Sequence, residues 1–157
     1  MHTFTDNTGS VWTLSVNVSA IKRVRALCGV DLTSITDISG GDVTESLLHK
    51  LSVDPVLLVD VLYALCKSEA DARKISDEQF GSAVFGDVIV SATDALLEEM
   101  VDFFPGSKRK ILQQILALSR RFEKEIEQEI QNVLQETENV DLSDLSNSST
   151  NVPESAE

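Results

Sequence analysis

KRKILQQILALSRRFEKEIEQEIQNVL, residues 108–134, is the stretch whose reading decides the fold. Ile111, Ile115, Leu118, Phe122, Ile126, Ile130 and Val133 recur at spacings of 4, 3, 4, 4, 4 and 3. The mean of about 3.7 is close to the period of a straight α-helix. Pro105-Gly106-Ser107 stands before it, so the helix is expected to begin near Lys108. Up to Phe122 the apolar stripe is wide, because Leu112 and Leu116 broaden it. Beyond Phe122 it narrows to single residues among Glu123, Glu125, Glu127, Gln128, Glu129 and Gln131. A helix with one narrow apolar line and charge elsewhere has little to bury in its own domain. The far part, 123–136, is therefore expected to project. From Thr137 the composition shifts to Ser, Asn, Asp, Glu and Pro, which predicts a disordered acidic tail over 137–157.

Working towards the amino terminus, helical signals continue. Val88, Ile89, Ala92, Leu96, Met100, Phe103 and Phe104 fit the inner side of one helix, entered after Gly86-Asp87. Ser76-Asp77-Glu78-Gln79 is a capping box ahead of Phe80, with Val84 and Phe85 assigned to the same short helix. Pro55 suits a first helical position with Asp54 as cap, and Leu57, Leu58, Val61, Leu62, Leu65 and Cys66 follow as a core stripe. Leu47, Leu48 and Leu51 mark a short helix before it, and Gly40-Gly41 a turn. Val30 to Ile38 reads either as a third strand or as a connection. Ser19 is the expected N-cap of a helix over 20–28, with Lys22, Arg23 and Arg25 outward and Gly29 closing it.

Only the first 18 residues break this pattern. Trp12, Leu14, Val16 and Val18 alternate with Thr13, Ser15 and Asn17, and the cluster Asp6-Asn7-Thr8-Gly9 precedes them. Period two after a turn predicts a β-hairpin. A lone hairpin is marginal in water, so its apolar face must rest on the helices. The expected fold class is α+β, mainly α: a hairpin packed on a helical bundle over residues 1–122, then the projecting helix end and the tail.

Charge and motif content bear on function. The chain has 157 residues, with 13 Lys and Arg against 26 Asp and Glu, a formal net charge of −13. That charge repels phosphate backbones and argues against a nucleic-acid partner. The best basic patches, Lys22-Arg23-Val24-Arg25 and Lys108-Arg109-Lys110, are both short. No stretch approaches the roughly 20 apolar residues of a membrane span, and nothing at the start resembles a signal peptide. Cytosolic residence is the expectation, with Cys28 and Cys66 as two buried thiols rather than a disulfide.

Catalysis lacks its parts. His2 reads as a mobile terminal residue and His49 as a surface one. No metal-ligand spacing or glycine-rich phosphate loop occurs, so no metal and no cofactor is expected. Glu98, Glu99 and Asp102 read as a solvated helical face. What stands out is the apolar line that outlasts its domain. Phe122, Ile126, Ile130, Val133 and Leu134 are the candidate protein-binding residues, suited to partner or self association through a helix-in-groove or coiled-coil contact.

The order of elements also carries a resemblance. Gly9-Ser10-Val11-Trp12-Thr13-Leu14 is followed by a basic helix ending in Cys28-Gly29-Val30-Asp31-Leu32. Then come Asp54-Pro55, the segment from Ile75 to Gly81, and the run from Phe85-Gly86-Asp87 to Phe103-Phe104-Pro105. Over roughly residues 1–122 this pattern resembles small proteins of phage and prophage tail clusters, in particular tail assembly chaperones. The resemblance implies a mostly helical, acidic protein of the host cytoplasm, without catalytic residues. It would keep a tape-measure protein soluble and help recruit tail-tube subunits before polymerisation. A structural component of a tail-like particle and an unrelated helical adaptor are the competing readings.

Overall fold

The computed structural model describes residues 1–37 and 46–144, with side chains of the last helix described through Thr137. Its elements are strands β1 (His2–Thr5) and β2 (Val11–Leu14), helix α1 (Val18–Cys28), a 3-10 turn (Leu32–Ser34), and helices α2 (Leu47–Val53), α3 (Pro55–Arg73), α4 (Asp77–Ala83), α5 (Asp87–Phe103) and α6 (Gly106–Asp144). The class is α+β and mainly α, with a hairpin and a long last helix. The chain divides into two compact units, Met1–Leu116 and Ala117–Glu157.

The hairpin pairs His2 with Leu14 and Phe4 with Trp12 in antiparallel register. Its turn is built on Asp6, whose amide donates to the Ser10 carbonyl at 2.9 Å. Gly9 takes φ 83°, a left-handed conformation that glycine adopts without steric cost. Phe4 and Trp12 sit on one face and meet Phe80 of α4 edge-on, with ring centroids 6.4 and 4.8 Å apart. That burial supplies what a two-stranded ribbon lacks alone. The open edge of β2 is covered by α3: Thr13 donates its amide to Glu69 at 3.1 Å, and Arg73 donates to the Val11 carbonyl at 2.7 Å. Edge groups satisfied in this way offer no template for another strand.

The strand is shorter than the alternation suggests. It ends at Leu14, and although Val16 stays buried, Val18 is 62% exposed at the start of α1. The cause is Asn17, whose side-chain oxygen accepts from the Ala20 amide and caps the helix two residues before Ser19. Arg23 also departs from expectation. Rather than facing outward, its guanidinium donates to the Ala64 and Leu65 carbonyls and ties α1 to α3. Within 30–37 there is no strand; Asp31 accepts from Thr33 and caps the 3-10 turn. Residue 38, Gly40-Gly41 and the start of the helical region at 42–45 lie outside the described residues.

Local signals set the other boundaries. Asp54 accepts from the amides of Val56 and Leu57, and Pro55 opens α3. Ser76 and Gln79 form both halves of the capping box. Helix α4 ends at Ala83, so Val84 is a buried cap residue and Phe85 is 58% exposed. Helix α6 starts at Gly106, two residues before Lys108, and runs to Asp144, past the change of composition at Thr137. The remainder of the expected tail, 145–157, lies outside the described residues. The core of the first unit gathers Trp12, Leu14, Leu32, Leu62, Phe80, Leu96, Met100 and Leu112 among its most enclosed side chains. Among the described residues no single helix is long and apolar enough to cross a membrane.

Candidate protein-binding face

Helix α6 carries the face. At 100° per residue, Phe122, Ile126, Ile130 and Val133 fall within about 80° of arc, and Leu134 stands about 40° further round. Phe122, Ile126 and Val133 are each 56% exposed, Leu134 55% and Ile130 52%. Ile126, Glu129, Ile130, Val133 and Leu134 line one shallow, mostly apolar recess. The structure therefore places the five expected residues on one helix, four of them around this recess, with Phe122 one turn earlier. The helix is supported along its own length by an Arg121–Glu125 contact at 3.8 Å and by the Thr137 hydroxyl donating to the Val133 carbonyl. Polar Glu127, Gln128, Gln131 and Asn132 occupy another side.

The face begins earlier than the narrowing of the stripe suggests. Leu118 is 53% exposed and Ile111 43%, whereas Leu112 and Leu116 are the residues of α6 enclosed in the core. The wide stripe thus divides. Leu112 and Leu116 belong to the core of the first unit, while Ile111 and Leu118 stand exposed. Sequence spacing contains both edges and cannot rank them. The neighbouring helices decide which one is covered.

The acidic group on α5 has a different role from the solvated face expected of it. Glu99 is buried, and its two oxygens accept from the backbone amides of His2 and Val16, each at 3.1 Å. His2 opens β1 instead of standing apart as a loose terminal residue, and its ring nitrogens lie 2.9 Å from Glu98 and 2.9 Å from Asp102. The hydrogen bond with His2 holds the Asp102 carboxyl below the usual carboxylate range. His2, Glu99 and Asp102 lie close enough to share an ion. Their polar atoms, however, are already matched to protein donors and acceptors, and the arrangement fastens the hairpin to α5. His49 is half-buried in α2.

The remaining candidates for chemistry are equally engaged. Burial, with Glu69 adding to it, pushes the Cys66 thiol up to about 12, and burial also raises Cys28. Both cysteines are free thiols, Cys66 buried and Cys28 half-buried. Neither has the lowered pKa of a nucleophile. The basic patches are largely committed within the fold. Arg25 pairs with Asp31, Lys108 donates to the Thr33 carbonyl, and Arg109 donates to the carbonyls of Val101, Asp102 and Phe104.

A second apolar hollow, not anticipated from sequence, lies between α3, α4 and the start of α5. Val56, Val59, Val84 and Ile89 line it, with Asp60 and Asp77 among them. Burial, then the nearby Asp77 and Asp54 charges, raise the Asp60 carboxyl. No family model, curated protein or solved structure matches this chain.

Proposed function

We propose that the protein is a non-enzymatic binding protein whose exposed α6 line holds another polypeptide, and that it serves as a tail assembly chaperone for a tape-measure protein. One observation carries this reading: a row of large apolar side chains from Phe122 to Leu134, each about half exposed, in a stretch of helix whose remaining side chains are polar. Apolar surface gathered in this way on a soluble protein marks a contact surface. A helix-in-groove or helix-pair contact needs this geometry.

The wider chemistry supports the same role. An unassembled tape-measure protein is a long helix with apolar faces, prone to self-association before its tube forms. A holdase for it needs a matching apolar line, shallow enough to release, and a charge that keeps the complex apart from its neighbours. The exposed row offers the first, and the net charge of −13 offers the second. The resemblance in element order to tail assembly chaperones supplies the identity of the client.

The test is co-expression with tape-measure candidates. A chaperone keeps the tape-measure protein in the soluble fraction and co-purifies with it. A tape-measure protein that stays equally insoluble with and without the chain overturns the tail reading.

A further inference from the structure

We propose that, in the absence of a client, α6 pairs antiparallel with α6 of a second copy of this chain, with the two Phe122 side chains at the centre of the contact. The inference rests on the α6 line being a contact face, and it names what covers that face at rest.

Two independent features of α6 select a second copy, and select its direction. The first is spacing. Counted from Phe122, Leu118 and Ile126 stand four residues either side, Ile115 and Ile130 seven and eight, and Ile111 and Val133 eleven. A line of side chains nearly the same read in either direction meets itself when two copies run opposite ways. Leu118 of one copy then faces Ile126 of the other, and Ile111 faces Val133. This is the self-complementarity that a two-fold contact requires. Most of the line is accessible for it: Leu118, Phe122, Ile126, Ile130 and Val133 are more than half exposed and Ile111 is 43% exposed, while Ile115 is half-buried.

The second feature is charge. Between Gly106 and Phe122 the helix carries Lys108, Arg109, Lys110, Arg120 and Arg121 and no acid. Between Glu123 and Glu136 it carries five glutamates against the single Lys124. Lys108 and Arg109 also hold groups of their own chain, so the contrast acts as a field between halves: antiparallel pairing lays the net-positive half of each copy against the net-negative half of the other, with Arg121 beside Glu123 and one like-charge match, Arg120 beside Lys124. Parallel pairing lays base on base and acid on acid, which like-charge repulsion opposes. The backbone dipoles of two antiparallel helices favour the same arrangement. Because the apolar spacing averages close to that of a straight helix, the pair needs little supercoil.

A dimer of this kind hides the line until a client competes for it. Self-pairing and client capture then exclude each other, and client binding splits the dimer.

Sedimentation of the full chain over a roughly hundredfold range of concentration tests the pairing. The expected result is a shift from the 17.2 kDa chain to a species of twice that mass. Oxidative cross-linking then tests direction, with the wild-type chain as control for Cys28 and Cys66. Phe122→Cys is expected to cross-link to itself. Ile126→Cys is expected to cross-link to Leu118→Cys in a mixture but poorly to itself. A wild-type chain that stays monomeric throughout overturns the proposal, whatever the cysteine variants do. Efficient self-cross-linking of Ile126→Cys, as in a parallel pair, overturns it as well. A monomer that still captures a tape-measure protein contradicts only the dimer, and leaves the binding role of α6 standing.

Discussion

Asp6 shows how much of this fold turns on one side chain. Its carboxylate accepts from the Thr8 amide at 2.8 Å, the Thr8 hydroxyl at 2.6 Å, the Ser10 amide at 3.0 Å and the Trp12 indole at 2.8 Å. Burial pushes its pKa up, but these four donors outweigh burial and hold it below the ordinary value. An acid whose folded pKa is lowered adds stability above its unfolded pKa and loses it as pH falls through the folded value. Asp6→Ala strands the Trp12 indole N–H in the core and frees two turn amides. The expected loss is about 3 kcal/mol near neutral pH, read by urea unfolding. The difference from wild type is expected to shrink as the pH falls below the ordinary carboxylate value and then through the lower folded one, where the wild-type carboxylate itself becomes protonated.

At the scale of elements, what could be read in advance was local. Asp54-Pro55, the Ser76–Gln79 box, Gly29 and the Asp6–Gly9 turn each satisfy their own backbone groups, and short-range rules are sufficient to place them. Where two residues could do the same work, spacing did not choose between them. Asn17 and Ser19 are both competent caps; Asn17 takes the role, next to Val16, whose amide donates to Glu99. The role of Glu99 itself depends on residues 97 and 83 positions away, which no local pattern records. The same holds for α6. Its helical period was legible, and so was the exposed end bearing Phe122, Ile126, Ile130, Val133 and Leu134. The division of its first turns between Leu112 and Leu116 inside and Ile111 and Leu118 outside was not, because the packing of other helices sets it. A pair of substitutions measures this division. Leu112→Ala is expected to cost about 2–5 kcal/mol, since its side chain is fully enclosed. Ile130→Ala, on an exposed position, is expected to stay within about 0.5 kcal/mol in dilute solution. Equal losses at the two sites would mean that the exposed line supports the fold.

The whole molecule combines a well-filled first unit with a helix whose apolar line is left open. Among the described residues every buried side-chain nitrogen and oxygen has a partner. Cationic side chains such as Arg23, Arg25, Lys108 and Arg109 bind carbonyls or carboxylates of the same chain, while the formal excess of negative charge is large. An exposed apolar line on α6 and a large net charge are the two properties on which the proposed holdase role draws. The most direct measurement is the amount of tape-measure protein retained by the tagged chain after co-expression, with wild type beside the Ile126→Asp, Ile130→Asp double variant. A binding role for the α6 line predicts at least a roughly tenfold drop in retained client, because two carboxylates replace the centre of an apolar contact. Equal retention by the double variant would contradict it.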